Sequence, residues 1–224
     1  MDISVAIDGP AGAGKSTIAK IIGEKFNLMY INTGAMYRAV TLKAMNANIT
    51  EKNVDDLVKL VESLEMHFEE ERLFVNNEDL TDMINMPIIS NNVSKYATVA
   101  EIREILVKLQ QNIAKKFNVI MDGRDIGTVV LKDATFKFYL TASNDQRARR
   151  RYDELLSKAI DVDYDTILND IIKRDYIDTH REVNPLTKAK DAIEIDSSAL
   201  SINGVVETIS TYINSNTKNI QHSL

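Results

Sequence analysis

The chain has 224 residues, 44% hydrophobic and 27% charged, enough to bury a sizeable core as one domain with inserts or as two small ones. A formal net charge of −6 and a pI near 5.2 argue against a general binder of nucleic acid or of membrane surfaces. With no cysteine there are no disulfides, no thiol catalysis and no Cys-type zinc site, and three scattered histidines (His67, His180, His222) give a histidine metal site little support.

The N-terminus has no basic region followed by a long apolar stretch, and no uninterrupted apolar run approaches the ~20 residues of a membrane span. The expected location is the cytoplasm, in a bacterium or an organelle derived from one.

In chain order, residues 3–7 form a short β-branched run that predicts a buried strand. It enters Gly9-Pro10-Ala11-Gly12-Ala13-Gly14-Lys15-Ser16, followed by Thr17, which fits the phosphate-binding pattern G-x-x-x-x-G-K-[ST]. Glycines let a backbone wrap closely so that successive N–H groups face a phosphate, and the following helix adds its unpaired donors and dipole. Residues 17–26 supply that helix, with Ile18, Ile21, Ile22 and Phe26 at helical spacing. Lys15 is placed to bridge β- and γ-phosphates, and the Ser16 hydroxyl to hold Mg²⁺.

Residues 28–31 predict a second buried strand ending at Asn32-Thr33-Gly34, then a helix over 35–45 with Met36, Val40 and Ala44 inward. Another amphipathic helix spans 54–64. Around 66–77 the period changes to that of a hairpin with an acidic turn, Glu69-Glu70-Glu71, which reads as solvated rather than metal-binding. A single helix is expected over 90–117, then a central strand at 117–121 leading into Asp122-Gly123-Arg124-Asp125-Ile126-Gly127-Thr128. A fourth strand at 136–140 precedes helices at 145–157 and 164–174. The last strand lies at 192–196 and the last helix at 202–213, with a frayed polar tail from 214.

Strands alternating with helices imply an α/β fold with a parallel sheet and ligands beyond its carboxyl edge. Asp122, closing an apolar strand, suits a carboxylate that orients Mg²⁺ directly or through water. Arg124 could take a phosphate in its planar fork, and Asp125 could accept from a base amino group; an Arg–Asp pair bracing the loop is the plain alternative. Arg174, Asp178 and Arg181 fall on one helical face, as an ion-pair ladder also would. The basic run Arg147-Ala148-Arg149-Arg150-Arg151 reads either as an exposed helix face or as arginines closing over a transferring phosphoryl group.

Three blocks carry a family resemblance: Ile7-Asp8-Gly9-Pro10-Ala11-Gly12-Ala13-Gly14-Lys15-Ser16, Thr33-Gly34-Ala35-Met36-Tyr37-Arg38, and Asp122 through Val130. With Arg174-Asp175 and Asp178-x-x-Arg181-x-Val183-x-Pro185-Leu186, they are similar in order to the bacterial cytidylate kinases, members of the P-loop nucleoside monophosphate kinases. The resemblance implies Mg²⁺-dependent phosphorylation of CMP and dCMP by ATP. It also implies a three-layer P-loop core, here 1–40, 95–150 and 184–224. A nucleoside-monophosphate region with a small β insert would occupy 41–94, and an arginine-bearing lid 151–183.

By position, Thr33, Arg38 and Arg124 resemble acceptor-phosphate contacts. Ser94, Arg103 and Asp125 resemble the groups that read cytosine, and Arg174, Asp178 and Arg181 resemble lid-side contacts to sugar and phosphate. Lys15, Arg124, Arg174 and Arg181 are the catalytic candidates. Thr33 stands where some relatives have serine, and Ser16 where some have glycine, so Thr17 is an alternative hydroxyl for the metal. A kinase for another small acceptor is separated from this reading only by the resemblance-based cytosine contacts. A GTPase-type switch would need an N-K-x-D motif, which is absent. Monomeric action, with no nucleic acid or membrane partner, is expected.

Overall fold

The computed structural model describes residues 3–221, and side chains through 217. Its elements in chain order are β1 (Ser4–Asp8), α1 (Lys15–Phe26), β2 (Met29–Asn32), α2 (Thr33–Asn46) and α3 (Val54–Glu62). Then come β3 (Met66–Glu69), β4 (Arg72–Val75), β5 (Glu78–Asp79), α4 (Pro87–Tyr96) and α5 (Ala100–Ala114). The chain finishes with β6 (Val119–Gly123), β7 (Phe136–Thr141), α6 (Asn144–Ser157), α7 (Tyr164–His180), β8 (Ile193–Asp196) and α8 (Ile202–Gln221).

Five strands form one parallel sheet in the order β2-β6-β1-β7-β8. The two-residue period of the strands sorts their side chains to opposite faces. Ala6, Ile31 and Met121 point into a core shared with Met36 and Val40 of α2 and Ile102 and Leu106 of α5. Val5, Ile7, Ile120 and Phe138 point the other way, onto Ile18 and Ile22 of α1 and Val205 and Ile209 of α8. Helices therefore cover both faces of the sheet, as parallel pairing requires.

Register sets the site. Asp8 pairs with Gly123, and Asn32 with Asp122, so the carboxyl ends of β1, β2 and β6 finish side by side and deliver their loops to one edge.

Two satellites flank this core. β3-β4-β5 make a small antiparallel sheet whose Leu73 and Val75, with Leu80, pack on Ala35, Ala39 and Leu42 of α2. Helices α6 and α7 share a second small core of Ala148, Leu155, Ile167 and Ile171.

Several sequence expectations need correction. The single helix expected over 90–117 is two, α4 and α5, broken at 97–99; Val99 has extended backbone there and caps α5. Pro87 starts α4 three residues earlier than expected, at the first-turn position where its missing N–H costs nothing. Phe117 is half exposed and precedes β6 rather than belonging to it. Helix α7 runs on to His180, since nothing after Arg174 breaks it before the extended Arg181. α8 continues through Gln221, so residues 214–221 are helical rather than frayed; 222–224 lie outside the described residues. The two-residue β5 was not expected, being too short to leave a periodic trace.

Candidate active site

The phosphate loop leaves β1 with Gly9 at φ 150°, where a Cβ would lie 2.0 Å from the Leu140 carbonyl oxygen of β7; only glycine fits this close approach. Gly14 at φ 87° sits immediately before α1, and Lys15 and Ser16 occupy the first turn. Lys15 is buried, and its Nζ donates to the Pro10 carbonyl at 2.6 Å. Burial, and then the neighbouring Arg124 charge, hold the Lys15 ammonium well below the usual lysine range. The Ser16 hydroxyl donates to Asp122 Oδ2 at 2.8 Å, and Tyr30 donates to Asp122 Oδ1 at 3.0 Å. Thr17 borders the same cavity but has no such bond to Asp122.

That cavity, about 760 Å³, runs from the phosphate loop past Asp122 to Arg38, Arg124 and Arg174, with Ser94 and Asp178 in its wall. At its other end it is bordered by Arg150, Ser197 and the start of α8 from Leu200 to Val205. Arg124 Nε donates to Asp178 Oδ2 at 2.8 Å, and Ser94 Oγ to Asp178 Oδ1 at 3.2 Å. Burial works against the Asp178 charge, but Arg124, Arg174 and Arg181 outweigh it and hold the carboxyl below its ordinary value. Arg174 has the opposite fate: burial, then Arg124, lower its guanidinium to about 10. A pocket this rich in crowded cations is built for an anion.

Behind the wall lies a second layer. Arg103, 1% exposed, bonds Asp125 Oδ2 at 2.5 Å through one terminal nitrogen and the Ala97 carbonyl through the other, and stacks over the Tyr37 ring at 5.3 Å. Arg181 approaches Asp125 at 3.7 Å. Tyr37 Oη, Arg38 Nε, Arg103 Nε, Arg174 Nε and one terminal nitrogen of Arg181 are buried without a hydrogen-bond partner. Orphaned donors at this density are costly unless a polar ligand meets them.

The structure thus gathers Lys15, Ser16, Thr17, Arg38, Ser94, Asp122, Arg124, Arg174 and Asp178 around one cavity, with Arg103, Asp125 and Arg181 paired just behind it. Thr33 stands apart from the lining: its hydroxyl donates to the Asp122 carbonyl at 2.7 Å and braces the end of β6.

The basic run on α6 divides. Arg147 is 3% exposed and fully engaged by protein oxygens, so it is no mobile arginine; its neighbour Arg149 stacks on Tyr152 and Tyr164, and Arg151 pairs with Glu154. Arg150 bonds the Ser197 carbonyl at 2.6 Å at the far end of the cavity. Asp8 received no role from the sequence, yet it is buried and accepts from Ile126 N and Gly127 N, each at 2.7 Å, tying β1 to the turn that carries Asp125. The signal was there: an acidic residue inside an apolar strand needs partners. Among the described residues no group of three or more His, Asp or Glu could hold a metal by itself, and no helix is long and apolar enough to cross a membrane.

Comparison with known proteins agrees with this geometry. A family model described as cytidylate kinase matches residues 5–215. The cytidylate kinase of Clostridium perfringens is 64% identical over 211 residues, covering 94% of this chain and 97% of that one. That of Clostridium acetobutylicum is 63% identical over 213 residues, covering 95% and 98%. In fold, the chain is similar to a gluconokinase from Sinorhizobium meliloti, with a TM-score of 0.53 at 12% identity over 99% of this chain and 97% of that one. The chain belongs to the cytidylate kinase family.

Proposed function

We propose that this chain transfers the γ-phosphoryl group of ATP to CMP and dCMP, giving CDP and dCDP. The observation that carries the reading is the single cavity joining the phosphate loop, with Lys15 and Ser16, to the guanidinium groups of Arg38, Arg124 and Arg174. Its kinship with curated cytidylate kinases supports the choice of acceptor.

ATP would lie with its phosphates on the loop amides and the α1 N-terminus, its base toward Arg150 and the start of α8. Phosphoryl transfer asks the protein mainly for positioning and positive charge around the moving group. Burial works against the Lys15 charge while the loop is unliganded, and a phosphate beside it would favour the ammonium, which spans the β- and γ-oxygens. Arg124, Arg174 and Arg181 neutralise charge that builds up between donor and acceptor, while Arg38 and Arg124 hold the acceptor phosphate. No general base is required, because the acceptor is already a phosphate oxygen.

Ser94, Arg103 and Asp125 would read cytosine: Asp125 accepts from the exocyclic amino group, and Arg103 donates to the ring acceptors with the buried N–H that now lacks a partner. Asp178 would take a sugar hydroxyl.

Ser16 Oγ and Asp122, hard oxygen donors 2.8 Å apart, fit Mg²⁺, which takes few protein ligands and keeps water and phosphate oxygens. When bound, the ion would screen the β- and γ-phosphate charge. We read 41–94 as the acceptor-binding region and 151–183 as a lid over the core. We read the protein as a monomer, and the cytoplasm, where ATP and nucleotides are available, suits the substrates.

The test is ADP release with Mg-ATP and, separately, CMP, dCMP, UMP, AMP and GMP. Turnover with CMP and dCMP far above the rest is expected. Preference for AMP or GMP would keep the kinase and discard the cytosine contacts.

A further inference from the structure

Ala11 is the residue of the phosphate loop that the lid helix grips. Its N–H donates to Asp175 Oδ1 at 3.2 Å, and its carbonyl accepts from an Arg147 terminal nitrogen at 2.7 Å. Arg147 and Asp175 close the ring with an ion pair of 2.6 Å. One residue of the loop is therefore clamped on both its backbone polar groups, one from each of its flanking peptide units, by one residue of α6 and one of α7.

The rest of Arg147 leaves no slack. Nε donates to the Ala142 carbonyl at 3.0 Å, and the second terminal nitrogen also meets Asn144 Oδ1. Beside Ala11, a Cβ on Gly12 would lie 3.1 Å from Arg147 Cβ and 3.3 Å from its carbonyl oxygen, so the loop backbone seats directly on α6. Asp175 in turn follows Arg174 in sequence and precedes Asp178 by three residues on α7. The side chains that border the cavity from α7 are thus carried by the same turn of helix that grips the loop.

We propose that Asp175, held by Arg147, is a positioning residue. It touches neither substrate but fixes the distance between the phosphate loop and the lid arginine Arg174, so that the donor phosphates and the guanidinium crossing to them stay in register. A burial-driven contact alone would let α7 slide; a charged pair with hydrogen bonds to both backbone groups of one residue does not. The inference rests on the loop being the ATP site, and it goes beyond that reading by assigning to Asp175 a role that acts through Ala11 and Arg174.

The test uses the full-length enzyme with Asp175→Ala and Asp175→Asn. Asp175 is partly exposed, so its truncation leaves less stranded than truncating Arg147 would. Kinetics are measured with ATP and CMP varied in turn, ATP affinity without CMP by calorimetry, and thermal melts alongside. Misplacement on the ångström scale costs up to about 100-fold, so Asp175→Ala should lose about 10- to 100-fold in kcat, with KM for CMP within about threefold of wild type. ATP affinity should fall by about tenfold. Asparagine keeps an acceptor for the Ala11 N–H but not the charge facing Arg147, and should recover part of the loss, remaining about three- to tenfold below wild type.

A folded Asp175→Ala or Asp175→Asn variant with wild-type kcat and ATP affinity overturns the proposal, whatever its melting temperature. So does a rise confined to KM for CMP. If the wild type binds ATP but does not phosphorylate CMP, the acceptor reading fails, while ATP affinity still decides this one.

Discussion

The two ends of the cavity are made in different ways. The phosphate seat of the donor end is backbone and glycine with one lysine, contributed by eight consecutive residues, 9–16, that run from the end of β1 into the first turn of α1. The acceptor end is side chains from α2, α4, α5, the β6 turn and α7, drawn from residues far apart in sequence. The donor end exists once a strand, a loop and a helix have formed locally. The acceptor end exists only when five elements have packed, and its charges are held against one another. The contrast teaches that a phosphate seat can be built by local geometry, whereas the pocket proposed to read a base needs tertiary structure.

The largest effect should come from the donor end. Under the proposed function, Lys15→Ala removes the cation assigned to the β–γ bridge. Single phosphoryl-clamping cations contribute about 10³- to 10⁵-fold, or roughly 4–7 kcal/mol of barrier. The expected result is a loss of that size in kcat with little change in KM for CMP and a melt close to wild type. Near-normal kcat in the folded variant would remove Lys15 from the mechanism and leave the donor end resting on amides alone.

The same contrast explains what the sequence disclosed. Strand, glycine loop and helix were legible because motif and structure coincide over 4–26, down to the glycine at Gly9 that leaves Leu140 its room. The sheet, its helical layers and the acidic-turn hairpin were legible from periodicity. The break at 97–99 was not, because it contains neither glycine nor proline, and only the packing of α4 and α5 defines it. Arg147 was misjudged for a related reason. A run of arginines looks alike from sequence, and which one is buried depends on α6 docking against the loop. Thr33 matched by position, but its hydroxyl is spent on a carbonyl that only the β2–β6 register brings near.

The second prediction probes the acceptor end. Arg103→Met keeps the unbranched apolar stem without the guanidinium head and leaves Asp125, 4% exposed, with Arg181 at 3.7 Å as its remaining ion-pair partner. Stranding one member of a buried pair costs about 3–5 kcal/mol. Urea midpoints should fall accordingly, and kcat/KM for CMP should fall further than for UMP. Arg103→Met with Asp125→Leu, which removes both charges, should regain stability but not CMP turnover. If the double variant also regains preference for CMP, the pair is a brace and cytosine is read elsewhere.

The joint between the two ends is Asp8, where β1 stops and the phosphate loop begins. Its carboxylate holds the amides of Ile126 and Gly127 and so anchors the turn bearing Asp125 to the strand bearing Gly9. Burial raises its pKa to about 6, against the pull of those two N–H bonds, from an ordinary value near 3.8. A carboxyl whose pKa is higher folded than unfolded binds its proton more tightly in the native state. Its stabilising contribution is complete below about pH 4 and is lost as pH rises through about 6. Two pKa units correspond to about 3 kcal/mol. Other carboxylates, Asp178 among them, run in the opposite direction, so the quantity to measure is the difference in unfolding free energy between wild type and Asp8→Asn from pH 4 to pH 7. That difference should shift against wild type by about 3 kcal/mol across the window and flatten above it. A difference independent of pH would mean that the two amides fully offset burial. Asp8 would then join donor and acceptor ends as a permanent carboxylate, with no proton to gain or lose as the cavity fills.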